Sequence, residues 1–109
     1  MSLLDGKTVA VTGGANGLGA GIVRRFDAEG ARGFVLDLPS AVDRDVPDGW
    51  SSIGVDVRDD ESAAAAFEQA GRLDVLVAAA GIVPGWRPVA ETDLDEWDDV
   101  FGVNVRGMI

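Results

Sequence analysis

Eight residues near the start of the chain, Thr12-Gly13-Gly14-Ala15-Asn16-Gly17-Leu18-Gly19, have the composition and spacing to cradle a phosphate. Glycine at Gly13 permits a tight turn, Gly17 lets backbone approach a pyrophosphate, and Gly19 lets a helix pack closely on a strand. A helix starting here directs unpaired N–H groups and the positive end of its dipole at the anion. In a chain with 15 glycines the spacing alone says little. Its position between an apolar run and an amphipathic helix is what gives it meaning. An acid follows at the end of the second apolar run: Asp37, 24 residues after Gly13. A carboxylate there can accept hydrogen bonds from the adenosine ribose hydroxyls, which points to NAD. The bland alternative is a solvated loop aspartate. NADP needs a cation for its 2′-phosphate, and neither Asn16 nor Leu38 supplies one, so NADP is disfavoured.

The residue types that are missing narrow the chemistry further. With no Cys there are no disulfides, no thiolate nucleophile and no Cys-based zinc site. With no His the commonest general base and metal ligand is gone, and no metal site is expected. There is no Tyr to act as a phenolic acid, and the one Lys, Lys7, precedes the first strand. Nineteen acidic against nine basic side chains give a net charge of −10, a field that repels a nucleic-acid backbone. No run of about 20 apolar residues is present to span a membrane. The start, Met1 to Lys7, lacks the basic and apolar segments of a signal peptide, so the cytoplasm is the expected compartment.

The elements that must position these residues alternate in type. Thr8–Val11, Phe34–Leu36 and Leu73–Val77 read as strands buried on both faces, with Ser52–Val55 as a shorter candidate. Between the first two, Leu18, Ile22 and Phe26 recur at helical spacing, and Gly30 is a stop. A second helix is expected from about Asp60 to Ala70, with Ala63 to Phe67 facing in and Gly71 ending it. A third begins near Asp93, where Thr92 can cap, with an apolar stripe of Leu94, Trp97, Phe101, Val105 and Met108, and the chain ends inside it. Leu38 to Ser51, with Pro39 and Pro47, reads as an irregular crossover. Strands alternating with helices imply a parallel sheet, and length allows one domain or part of one. Asn104 falls on the stripe of the third helix, and a buried amide there needs partners.

Taken together these residues resemble the short-chain dehydrogenase/reductase family in its single-domain, non-extended branch. Thr12, Gly13, Gly17 and Gly19 match its glycine turn. Asp56-Val57 matches its acid-plus-aliphatic pair after the third strand, which the resemblance assigns to the adenine ring; otherwise Asp56 is a helix-approach acid. Val77-Ala78-Ala79-Ala80-Gly81-Ile82 resembles the Asn-Asn-Ala-Gly segment after the fourth strand, with alanine at both asparagine positions. That departure is expected to remove a side-chain amide tying this strand to Thr12, while small Ala79, Ala80 and Gly81 still admit a cofactor ribose. Trp97 to Gly107 resembles the Trp…Asn-Val-x-Gly helix, which implies that Asn104 is the family's active-site Asn, helping to hold a water in the proton relay.

The expected fold is α/β, a Rossmann-type doubly wound parallel sheet, incomplete, with four strands in the order 3-2-1-4 across residues 1–109. The resemblance implies hydride transfer between a nicotinamide and an alcohol or carbonyl, and a homo-oligomeric full-length protein. The family's Tyr, its Lys four residues later, and its Ser beyond the fourth strand have no counterparts here. The chain is therefore expected to supply the cofactor-binding half of such an enzyme. The rival from another class is a non-catalytic dinucleotide-binding or interaction module from a truncated reading frame. A Rossmann-like methyltransferase also uses a glycine turn and an acid, but the Ala-Ala-Ala-Gly and Trp…Asn segments argue against it.

Overall fold

The computed structural model describes residues 2–42 and 45–109. Met1 of the expected leaderless start, and residues 43 and 44 of the expected crossover, lie outside it. Four parallel strands form one sheet in the order β3-β2-β1-β4, as the alternation of elements demands. They are β1 (Thr8–Thr12), β2 (Arg32–Asp37), β3 (Trp50–Gly54) and β4 (Val75–Ala78). Three helices connect or follow them: α1 (Gly17–Ala28), α2 (Asp60–Ala70) and α3 (Leu94–Asn104). Short 3-10 turns at Val89–Glu91 and Arg106–Met108 flank α3.

The alternation of side chains along β1 builds two cores, one on each face of the sheet. Val9 and Val11 face α1 and pack with Val23, Val35, Trp50, Ile22 and Phe26. Ala10 faces the other way, toward α2, and joins Leu36, Ile53, Val55, Ala66 and Phe67. A strand covered on both faces must be apolar throughout, which is why β1 reads as a continuous hydrophobic run. Register then brings the strands' C-terminal ends together: Thr12 lies beside Leu36 of β2 and Ala78 of β4. In such sheets ligands bind outside these ends, where the strand order reverses, here between β1 and β4.

Several expectations need correction. The crossover is shorter than its prolines suggest, because Trp50 and Ser51 belong to β3. Trp50 is buried and its indole N–H donates to Asp27 of α1 at 3.2 Å. β4 is not covered on both faces; Val75 and Val77 pack on the α1-side core while Leu76 is exposed. On α2 only Ala63, Ala66 and Phe67 of the expected inward run turn inward, since consecutive helical residues point about 100° apart and Ala64 and Ala65 are exposed. Leu18 is 80% exposed and leaves the α1 stripe for the mouth of a cleft. Thr92 does not cap α3. Its hydroxyl donates to the Val89 carbonyl at 2.7 Å, and the Asp93 carboxylate accepts from Asp95 N and Glu96 N instead. The helix stops at Asn104 and a 3-10 turn follows, so the chain does not end inside it. Its apolar stripe is exposed, from Leu94 through Trp97 and Phe101 to Met108.

Candidate functional site

The glycine turn sits between β1 and α1 and takes a conformation that other residues resist. Gly13 has φ +65° and Gly17 has φ +54°, both in the left-handed region. A Cβ on Gly13 would lie 2.8 Å from the Ala80 Cα, so this turn and the segment after β4 touch backbone to backbone. A Cβ on Gly19 would collide with the Gly13 carbonyl oxygen, which lets α1 start directly against the turn. At Gly17 a Cβ would meet nothing within 4 Å. The bare backbone there faces open space, the cradle that an approaching anion needs. No side chain caps α1, and its first backbone bond runs from Ala20 N to Asn16 O, so the earlier N–H groups are left for a ligand.

These residues line a cleft of about 560 Å³, within the range of small-molecule and cofactor sites. It gathers Gly13, Asn16, Gly17, Leu18 and Gly19 from the turn and Asp37 and Leu38 from the end of β2. Asp56 and Val57 enter from beyond β3, and Ala79, Ala80 and Gly81 from beyond β4. Thr12 and Asn104 do not line the cleft; both act on the backbone that does. Thr12 is 6% exposed, and its hydroxyl oxygen accepts from Ala79 N at 3.2 Å and Ala80 N at 3.3 Å. The alanines therefore do not sever the tie between β4 and Thr12. Backbone amides make the contact, and these are present whatever the side chain.

Asp37 is not a solvated loop acid. One carboxylate oxygen accepts from Ala15 N at 3.0 Å and the other from Leu38 N at 2.8 Å, which holds the group over the glycine turn. Asn104 grips the backbone of one residue at both its polar groups: its Oδ1 accepts from Ile82 N and its Nδ2 donates to Ile82 O, each at 2.8 Å. It is half-buried rather than sunk in a stripe, and the partners it needs are those of Ile82.

Sequence reasoning missed Arg58 and Asp99, which also line the cleft. Arg58 donates to Asp56 through its backbone N–H, Nε and Nη2, and to Asp99 of α3 through Nη1 at 2.7 Å. The side-chain hydrogen bond from Arg58, then its backbone N–H, holds the Asp56 carboxyl below the usual aspartate range, against an opposing push from burial. Asp56 in turn raises the guanidinium pKa. Arg58 stands two residues from Asp56 and was open to suspicion for that reason; nothing in the sequence pairs it with Asp99, 41 residues away.

A doubly wound parallel sheet with a glycine turn between its first strand and helix defines a protein of the Rossmann class. Residues 7–109 match the short chain dehydrogenase family, and the chain belongs to that family. It is 35% identical to Short-chain dehydrogenase reductase 5 of Arabidopsis thaliana, over 95% of this chain and 44% of that protein. It is 36% identical to meso-2,3-butanediol dehydrogenase of Serratia marcescens, over 96% of this chain and 45% of that one. Among solved structures, the 3-ketoacyl-(acyl-carrier-protein) reductase of Brucella melitensis, complexed with NADH, superposes with a TM-score of 0.83 at 30% identity. That match covers 96% of this chain and 47% of the reductase. The chain thus spans under half the length of the relatives it matches.

Proposed function

We propose that residues 1–109 form the NAD-binding part of a short-chain dehydrogenase that moves hydride between a nicotinamide and a small alcohol or ketone. The observation that carries this reading is the cleft itself. It places open backbone at Gly17, the start of α1 and the fixed Asp37 carboxylate along one groove. The pyrophosphate would lie against the turn, with Asn16, Gly17 and Leu18 as its rim and Gly13 and Gly19 shaping it. Asp37 would take the adenosine ribose hydroxyls, with Leu38 beside it. Asp56 and Val57 would take the adenine, and Ala79, Ala80 and Gly81 the second ribose. The dinucleotide supplies the hydride acceptor or donor when bound.

The chain's own contribution to proton handling is confined to Asn104. Both polar atoms of its amide are engaged by Ile82, so the amide fixes the backbone after β4 rather than meeting substrate. The atom left to hold a water is its backbone carbonyl. Met108 N, the helical partner of that carbonyl, bonds to Val105 O instead. The phenol, ammonium and hydroxyl that the family uses on substrate oxygen would come from outside these residues, as would the substrate's identity. We place the enzyme in the cytoplasm, as a homo-oligomer. No helix among the described residues is long and apolar enough to cross a membrane.

Titration with NADH and NADPH tests this reading. A carboxylate about 5 Å from a single phosphate charge costs roughly 3 kcal/mol at an effective dielectric of about 20, or about a hundredfold in affinity. NADH is expected to bind about that much more tightly than NADPH, and Asp37→Ala to narrow the gap. Equal or tighter NADPH binding would contradict the assignment of Asp37.

A further inference from the structure

We propose that Arg58 is a positioning residue that makes the cleft selective for a 6-amino purine, acting through Asp56 and Asp99; this rests on reading the cleft as a dinucleotide site. The Asp56 carboxylate offers about four acceptor positions, two on each oxygen. Arg58 fills both on Oδ1, with its backbone N–H at 3.0 Å and Nε at 3.1 Å, and one on Oδ2, with Nη2 at 2.9 Å. A single acceptor position remains, on an oxygen whose direction is fixed by the parallel two-point grip of a planar guanidinium. One fixed acceptor suits an amino N–H and opposes a carbonyl oxygen in the same place.

The guanidinium is itself held. Its Nη1 reaches Asp99 of α3, and its aliphatic stem lies across α3 at Gly102, where a Cβ would come within 3.3 Å of Cγ and Cδ. Beyond it, Gly107 gives way to Val57, and Arg106 donates to both carboxylate oxygens of Asp60 at 3.0 and 2.8 Å. The whole segment from Asp56 to Asp60 is thereby seated on α3 and the turn after it. Arg58 is solvent-exposed, and exposed ion pairs add little to stability. Its three-way convergence beside the cleft is better explained by orientation than by stabilisation.

The test compares NADH with its hypoxanthine counterpart, in which the 6-amino group is replaced by oxygen, on the protein as its gene encodes it. The unaltered protein is expected to prefer NADH by about tenfold, the equivalent of one hydrogen bond. Arg58→Ala should bring the two ligands to within about threefold, chiefly by weakening NADH. Arg58→Lys should fail to restore the preference, because an ammonium cannot make the two-point grip. Asp99→Asn, at an exposed position on α3, should lower the preference without loss of the fold. A purely structural role for Arg58 would weaken both ligands equally and leave their ratio unchanged, which would overturn the proposal. Equal binding of the two by the unaltered protein would overturn it also. Absence of any NADH binding would overturn the dinucleotide reading and this inference with it, whereas tight NADH binding with an unchanged ratio in Arg58→Ala overturns this inference alone.

Discussion

Thr12 shows how a small buried side chain can hold two strands in relation when the expected partner side chains are missing. Its oxygen receives two amide N–H groups from Ala79 and Ala80, and removing it leaves both short of an acceptor in a largely dry place. Thr12→Val keeps the shape and removes the acceptor, so it should destabilise the protein by about 1–3 kcal/mol. Thr12→Ser should recover most of that loss in chemical denaturation. A Val variant as stable as the parent would mean that water already serves these amides. Thr12 was legible in the sequence through its place in the glycine turn. Its actual partners were not, because a search for side-chain partners overlooks main-chain amides that every residue carries.

At the level of elements, the glycine turn separates two roles that spacing alone cannot distinguish. Gly17 faces open space and Gly19 faces the Gly13 carbonyl. Gly17→Ala should cost about 1–2 kcal/mol for its left-handed backbone, yet leave the sheet intact and weaken NADH binding. Gly19→Ala should damage folding itself, because its methyl group has nowhere to go. Thermal unfolding beside cofactor titration checks this, and the reverse pattern would exchange the two roles. The sheet, its order and the first two helices were legible because buried parallel strands and amphipathic helices impose periods on the sequence. The third helix was legible in place but not in packing. Its stripe of Leu94, Trp97, Phe101 and Met108 has the period of a buried face, yet it is exposed, and hydrogen bonds tie α3 and the turn after it to the rest of the chain. Those bonds join Asn104 to Ile82, Asp99 to Arg58 and Glu96 to Arg87 from α3, and Arg106 to Asp60 from the turn. Periodicity reports that a face is apolar, and it does not identify what covers the face.

At the level of the whole molecule, the chain is 53 Å long and 27 by 23 Å across, with a radius of gyration of 15.1 Å. A compact chain of this length would have about 13 Å, and α3 makes its main contacts with the turn after it and not with the strands. β4 lies at a sheet edge with Leu76 exposed, and Trp86, Trp97 and Phe101 are exposed as well. Unprotected edges and contiguous apolar faces favour association. The net charge of −10 opposes it, but only over about 8 Å at physiological salt. The 109-residue chain by itself should therefore self-associate in sedimentation velocity, and a monodisperse monomer would show that the edge is protected.

The central claim, that a dinucleotide lies along the ends of β1, β2 and β4, is tested most directly by mapping backbone amide resonances during a titration with NADH. The account predicts saturable shifts at Gly17, Leu18 and Gly19, and at Ala80 and Gly81, all lost in Gly17→Val while the sheet resonances stay in place. Saturable binding with its shifts centred elsewhere, for example in the crevice lined by Val42, Val46 and Pro47 behind α1, would contradict it.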